Sequence, residues 1–419
     1  MRASPSPAGK PLKARFPELY PLWLALYVDI LGFYILVPLF PFIRMEYGLD
    51  AFTVSLLLAT NAVFSLVFAP VLGALSDKLG RKRVLSLSLA GTTAGFLIFA
   101  VSPSITWLFI SRIVDGCFGG VYPVTRAIVA HTVPPAYRAR EMANMGIVHI
   151  LSSLVGPALG GILVSRTGSL LAPGLLAAGL AGAATVICMT VVKEPDATAS
   201  TPGPTEGEGE SKAVASSPAP TAGGTTTALL LVQWGCHSFN FVMFNALLGL
   251  YCDVHLSLNP EMIGYLMTFS GLLKIATRFT AFPRLIDTLG EWKTSIVGLA
   301  TFVGSFAGMT LINDWPWFLI VLVTTSLAAS CTRGPLTSIL SQSVPRKSQG
   351  RVHGVANSIE NVTQVFAPAA GGIVLDAGGT WYSLLLSLLA IPPLLVATRP
   401  PARHPDQQTP TQGKVAPEP

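Results

Sequence analysis

Twelve stretches of roughly 20 mostly apolar residues run along this chain, and that is the length a helix needs to cross the hydrocarbon core of a bilayer. They lie at about 19–43, 53–75, 83–102, 104–127, 141–165, 170–192, 227–251, 262–282, 293–312, 315–341, 351–375 and 381–398. Spanning segments of this kind are helices, so the expected fold class is an all-α membrane protein with twelve transmembrane helices. The first eleven stretches are clear. The twelfth, interrupted by Pro392 and Pro393, is marginal.

The charge supports this reading by its scarcity and its placement. Only 11% of the 419 residues are charged and 51% are hydrophobic, which is far from a soluble domain. The net charge of +6 does not form a nucleic-acid footprint. Arg2, Lys10, Lys13 and Arg15 precede the first stretch, a cluster at 77–83 follows the second, Arg138 and Arg140 follow the fourth, and Arg346 and Lys347 follow the tenth. The intervening connections hold little beyond Arg44 and Arg166. By the positive-inside rule both termini and the 77–83 loop face the cytoplasm. The basic, Pro-rich start has no small-residue cleavage site behind it and reads as a retained tail.

Other classes of chemistry are not indicated. Cys117, Cys188, Cys236, Cys252 and Cys331 all sit in or at the ends of apolar stretches with no C-x-x-C pair, so neither a disulfide framework nor a metal site is expected. The sequon at Asn361 falls inside a span and is discarded. No G-x-x-x-x-G-K-[ST] run is present, so the chain hydrolyses no ATP through such a loop and calls for no cofactor.

Residues 193–226 are rich in Pro, Gly, Ser, Thr and Glu and cannot bury a core, which makes them a disordered linker. It divides a cytoplasmic tail (1–18) and a six-helix half (19–192) from a second half (227–398) and a cytoplasmic C-terminal tail (399–419). The halves repeat. Residues 132–168 align with 343–379, Pro157 falling on Pro368, Gly160 and Gly161 on Gly371 and Gly372, and Arg140 on Arg351. "DKLGRKR" in the first half becomes "DTLGEWK" at Asp287 to Lys293 in the second. Two related six-helix bundles joined by a linker are the architecture of carriers that rock around a central site.

"GALSDKLGRKRV" (73–84) resembles the loop motif of the major facilitator superfamily, with Gly73, Leu75, Asp77, Lys78, Gly80, Arg81 and Lys82 in the expected places. "DILGFYILVPLFP" (29–41), "RIVDG" (112–116) and "GPALGG" (156–161) are similar to the first-, fourth- and fifth-helix patterns of its twelve-helix drug/proton antiporters. Asp115 stands where the fourth-helix pattern usually has Gln or Glu. The resemblance covers about 19–398. It implies a pseudo-symmetric pair of bundles, a conformational switch formed by Gly73, Asp77, Gly80, Arg81, Lys82 and Arg351, and an antiporter motif of Gly156, Pro157, Gly160 and Gly161. It also implies that Asp77 meets the start of span 11 near Arg351, whose free backbone donors attract a carboxylate.

The placement of charged residues adds to this independently. Spans 3, 6, 9 and 12 hold no Asp, Glu, Lys or Arg between their ends and should be peripheral, because intramembrane charge usually faces a bundle interior or a cavity. Asp29, Asp115, His237, Lys274 and Glu360 fall midway through their spans and should converge near the midplane. Asp29, Arg112, Asp115 and Glu360 are the proton-coupling candidates, although Arg112 and Asp115, three apart, could equally form an internal ion pair. Gln233, His237, Asn240 and Phe244 recur at helical spacing on span 7, as do His353, Asn357, Glu360 or Asn361, and Gln364 on span 11. Each stripe either lines a cavity or hydrogen-bonds between helices. Lys274 is the candidate partner of a substrate or carboxylate, and Arg333 either touches a ligand or braces the Gly334-Pro335 kink. His149 and His237 either shuttle protons or are satisfied core histidines. Gly156 and Gly160 make a small-xxx-small face for close helix packing.

The expected activity is therefore that of a secondary active transporter, not an enzyme, working by alternating access in a cell membrane (plasma or inner). It would export small amphipathic or drug-like molecules in exchange for protons, with the lipid bilayer as surroundings and a monomer sufficient. An organic-anion carrier, suggested by Lys274 and Arg333, is the alternative substrate class. A non-transporting receptor on the same fold is the alternative of another kind, because fold does not fix function.

Overall fold

The computed structural model of the chain describes residue 16 and residues 19–192, 224–345 and 348–399. The predicted tails and linker lie outside these residues, apart from Phe16, Arg399 and the last three linker positions, which open a helix.

Every regular element among the described residues is helical. The helices are α1 (Tyr20–Leu36), α2 (Leu39–Tyr47), α3 (Ala51–Leu79), α4 (Arg81–Ala100), α5 (Ile105–Cys117), α6 (Val121–Thr132), α7 (Pro135–Thr167) and α8 (Leu171–Thr190). After the linker come α9 (Gly224–Val254), α10 (Pro260–Phe279), α11 (Ala281–Met309), α12 (Trp315–Gln342), α13 (Gln349–Ala377) and α14 (Gly379–Ala397). They make twelve spans, because α1 with α2, and α5 with α6, are single spans bent in the middle. α11 divides at Gly290, its first part prolonging α10 and its second forming the ninth span.

Eight spans are long and apolar enough to cross a membrane on composition alone. α14 is one of them, continuous through Pro392 and Pro393, so the twelfth span is not marginal as the prolines suggested. Its backbone is tied to α9, where Gln233 donates to the Pro393 carbonyl at 2.8 Å and Asn240 to the Leu386 carbonyl at 2.9 Å.

Two glycines set tight turns at equivalent places in the two halves. Gly80, between α3 and α4, has φ +99°, and Gly290, its counterpart in the second half, has φ +75°. An L side chain is strained in either conformation, so the turn keeps glycine while the neighbouring charges of "DKLGRKR" erode to "DTLGEWK". Asp50 starts α3 by accepting from the Thr53 backbone N–H at 2.9 Å. Hydrogen bonds from the Thr53 side chain and backbone hold its carboxyl below the ordinary carboxylate value.

Two compact units are present. One consists of the helices before the linker together with residues 248–271, the other of α9 up to Leu247 and the chain from Leu272 onward. The first unit's core includes Leu22, Leu26, Leu85, Leu89, Val124, Ile128 and Cys188. The second unit's core packs Trp234, Leu299, Leu336, Leu340, Val352 and Ala356. The Trp234 indole N–H reaches the Ala356 carbonyl at 3.2 Å, and the Tyr382 hydroxyl donates to the Met243 carbonyl at 2.9 Å.

Candidate functional site

In the first unit the polar residues gather where α3, α4 and α5 meet. Arg112, 1% exposed, points its guanidinium between the rings of Phe96 and Phe99, 5.7 and 5.0 Å from their centroids, and Nη1 lies 3.3 Å from Asp115 Oδ2. The same carboxylate oxygen accepts from Asn61 Nδ2 of α3 at 2.8 Å. The three-residue spacing puts Arg112 and Asp115 on one helical face, and the rings give the cation favourable quadrupoles in place of water. Gly95 permits the approach, since a Cβ there would stand 3.0 Å from Asp115 Cβ. Not every polar atom is satisfied: Arg112 Nη2 and, on α1, Asp29 Oδ1 are buried without a hydrogen-bond partner. Nearer the end of α1, Tyr34 and His149 of α7 share a hydrogen bond of 2.8 Å.

The fifth-helix motif divides its contacts. Gly156 and Gly160 back onto the α1 backbone at Tyr34 and Ile35. Gly161 faces the start of α10 within the same unit, where a Cβ would come 2.5 Å from the Pro260 carbonyl oxygen. Reciprocally, a Cβ on Gly264 would lie 2.5 Å from the Pro157 carbonyl oxygen. Arg44 at the end of α2 holds Asp253 at 2.5 Å, a pair that fastens residues 248–271 to the unit. In the loop motif, exposed Asp77 pairs with Arg81 at 3.2 Å, Arg81 also donates to the Ala127 carbonyl of α6, and Ser76 Oγ donates to the Gly73 carbonyl. Lys82 is half-buried at the start of α4, as is Arg351 at the start of α13.

In the second unit the span 7 stripe is spent largely inside the bundle. Gln233 and Asn240 make the bonds to α14 given above, and Phe244 packs against Phe306 with the rings tilted by 57° and their centroids 5.1 Å apart. His237 is ringed by Trp234, Phe241 and Phe302 and borders a small cavity lined also by Asn240 and Phe306, where Asn240 Oδ1 lacks a partner. Arg333 pairs with Glu360 at 2.6 Å and lies over the Trp234 ring, so two separately predicted candidates meet. Asn357 is exposed on α13. Lys274 donates to Asn245 Oδ1 at 2.8 Å and stands 6.0 Å from the Phe241 centroid.

Asn61, Asn245, Phe241, Asp253 and Tyr34 escaped the sequence reading. A lone amide inside an apolar run, as in "LLLATNAVF" or "MFNALLG", was the available signal for the two asparagines. None of these polar groups forms a cluster of His, Cys, Asp or Glu suited to a metal among the described residues.

The model of the Major Facilitator Superfamily matches residues 22–236 and again residues 229–418. The chain belongs to that superfamily. As a member it is a multi-pass membrane transporter. Within the superfamily it is similar to the multidrug resistance protein 1 of Bacillus subtilis (strain 168), 23% identical over 380 residues that cover 90% of this chain and 95% of that one. It is also similar to the class G tetracycline resistance protein of Vibrio anguillarum, 30% identical over 329 residues covering 78% of this chain and 81% of that one. Among solved structures, that of the human organic anion transporter MFSD10 (TETRAN) has the same fold, with a TM-score of 0.66 at 22% identity, over 93% of this chain and all of that one.

Proposed function

We propose that this superfamily member is a secondary active transporter that exports small amphipathic, drug-like molecules in exchange for protons by alternating access. In this reading it acts as a single chain in a cell membrane with both termini cytoplasmic, and the Asp77 loop is its conformational switch. The drug-like class draws on the multidrug and tetracycline resistance proteins among its relatives. The observation that carries proton coupling is the first unit's buried polar group, in which Asp115 shares Arg112 and Asn61 while Asp29 keeps an oxygen with no donor. A carboxyl group at membrane depth is costly to keep and is used where a proton has to be carried. Glu360, held by Arg333, is the corresponding candidate in the second unit.

The test is transport in proteoliposomes by Asp29→Asn, Asp115→Asn and Glu360→Gln, each of which keeps shape and removes the titratable proton. At least one is expected to abolish uptake driven by a pH gradient while substrate exchange continues. Asp115→Asn should also lose about 3–5 kcal/mol of stability, because it leaves the buried Arg112 cation without its anion. Parental dependence on the gradient in all three variants would contradict the reading.

A further inference from the structure

We infer that Lys274, Asn245 and Phe241 form a subsite for the charged end of an amphipathic organic anion. The inference rests on the transporter reading and deepens it by adding a charge preference, for anionic members of the amphipathic class.

The argument starts from what Lys274 lacks. Arg112 and Arg333 each face a carboxylate in their bundles, whereas no carboxylate among the described residues lies within 4.0 Å of Lys274. Its hydrogen-bond partner is the neutral Asn245. That amide is itself fixed, because Asn245 Nδ2 donates to the Phe241 carbonyl at 2.8 Å one turn back on α9, which leaves Oδ1 to accept from the lysine. An ammonium has three donors, so two remain after Asn245 is served. The group is thus held in place and not neutralised.

A lipid headgroup cannot supply the missing charge. Lys274 lies near the middle of the eighth span, 262–282. At 1.5 Å per residue its two ends are about 18 and about 12 Å away, and snorkelling serves residues near helix ends. An anion that reaches this depth has to enter through a cavity. The Phe241 ring beside the ammonium offers an apolar face to the rest of such a molecule. A monovalent carboxylate or sulfonate with an aromatic body fits both groups, and a small inorganic anion would use only the lysine.

The experiment measures binding to the full chain in nanodiscs of uncharged phosphatidylcholine, with naphthalene-2-sulfonate and its neutral isostere naphthalene-2-sulfonamide as probes. The parent is expected to favour the sulfonate by about 10- to 100-fold, the range of a charge-assisted hydrogen bond. In Lys274→Met the two affinities should converge, and Lys274→Gln should do the same should the methionine variant not fold. Lys274→Arg should keep the preference, as should Arg278→Gln, whose guanidinium lies over Phe282 one turn further on. Excess inorganic sulfate should fail to displace the probe. A parent without preference, a Lys274→Met or Lys274→Gln protein that retains it, or displacement by sulfate would overturn the subsite. A parent that exchanges neutral compounds against protons yet ignores the sulfonate defeats the subsite alone. Anion binding without any transport defeats the transporter reading alone.

Discussion

Gly160 shows how little room a single residue has where α7 meets α1. A Cβ there would run into the Ile35 carbonyl and come within 3.0 Å of Pro38 Cγ, so the neighbour in the way is backbone and cannot rotate aside. Overpacking of this kind costs about 1–3 kcal/mol. Gly160→Ala is therefore expected to lower the melting temperature of the purified protein, and Gly179→Ala on α8, with open space around it, to leave that temperature unchanged. Equal melting of both variants and the parent would show that the α1–α7 contact is looser than described. At this scale the sequence discloses what is local. The spacing of Arg112 and Asp115 allows their pairing, and the small residues of "GPALGG" announce a close approach. It does not disclose that Asn61 joins them from a helix 54 positions away, or that Lys274 ends on an amide instead of a carboxylate. Those partners are chosen by how helices are rotated about their axes, which no spacing along one helix specifies.

Arg44 and Asp253 act between elements. Asp253 is 6% exposed and its bond to Arg44 joins the end of α2 to the end of α9. Removing the carboxylate leaves the half-buried Arg44 cation without its anion. Asp253→Asn should accordingly speed amide hydrogen exchange across residues 248–258 by at least about tenfold while α4 and α8 keep their protection. The charge swap of Arg44→Asp with Asp253→Arg should restore it. Unchanged exchange in Asp253→Asn would mean that packing alone holds the segment. The spans themselves were legible, because a bilayer demands apolar runs of one length. The bends within them were not. Pro38 marks the break between α1 and α2, yet Pro70, Pro157, Pro335 and Pro368 sit inside helices that continue, so a proline by itself does not tell a bend from a tolerated kink.

For the molecule as a whole, the repeat was the most informative feature of the sequence, and its geometry survives where its chemistry does not. Gly80 and Gly290 adopt positive φ in equivalent turns, although three of the four cations of the first loop have no equivalent in the second. A carrier needs both halves to bend in the same places, but only some of its side chains to touch a proton or a substrate. That difference explains why the fold could be read from the chain and the substrate could not. The central claim is that the movement of substrate is tied to the movement of protons. The direct measurement is uptake of a labelled substrate, chosen from an amphipathic panel, into proteoliposomes that are acidic inside, with and without a protonophore. Exchange predicts that protons leaving the lumen drive accumulation above the external concentration, and that the protonophore reduces it to simple equilibration. Uptake that reaches the same level with the gradient intact, collapsed or reversed would contradict the account.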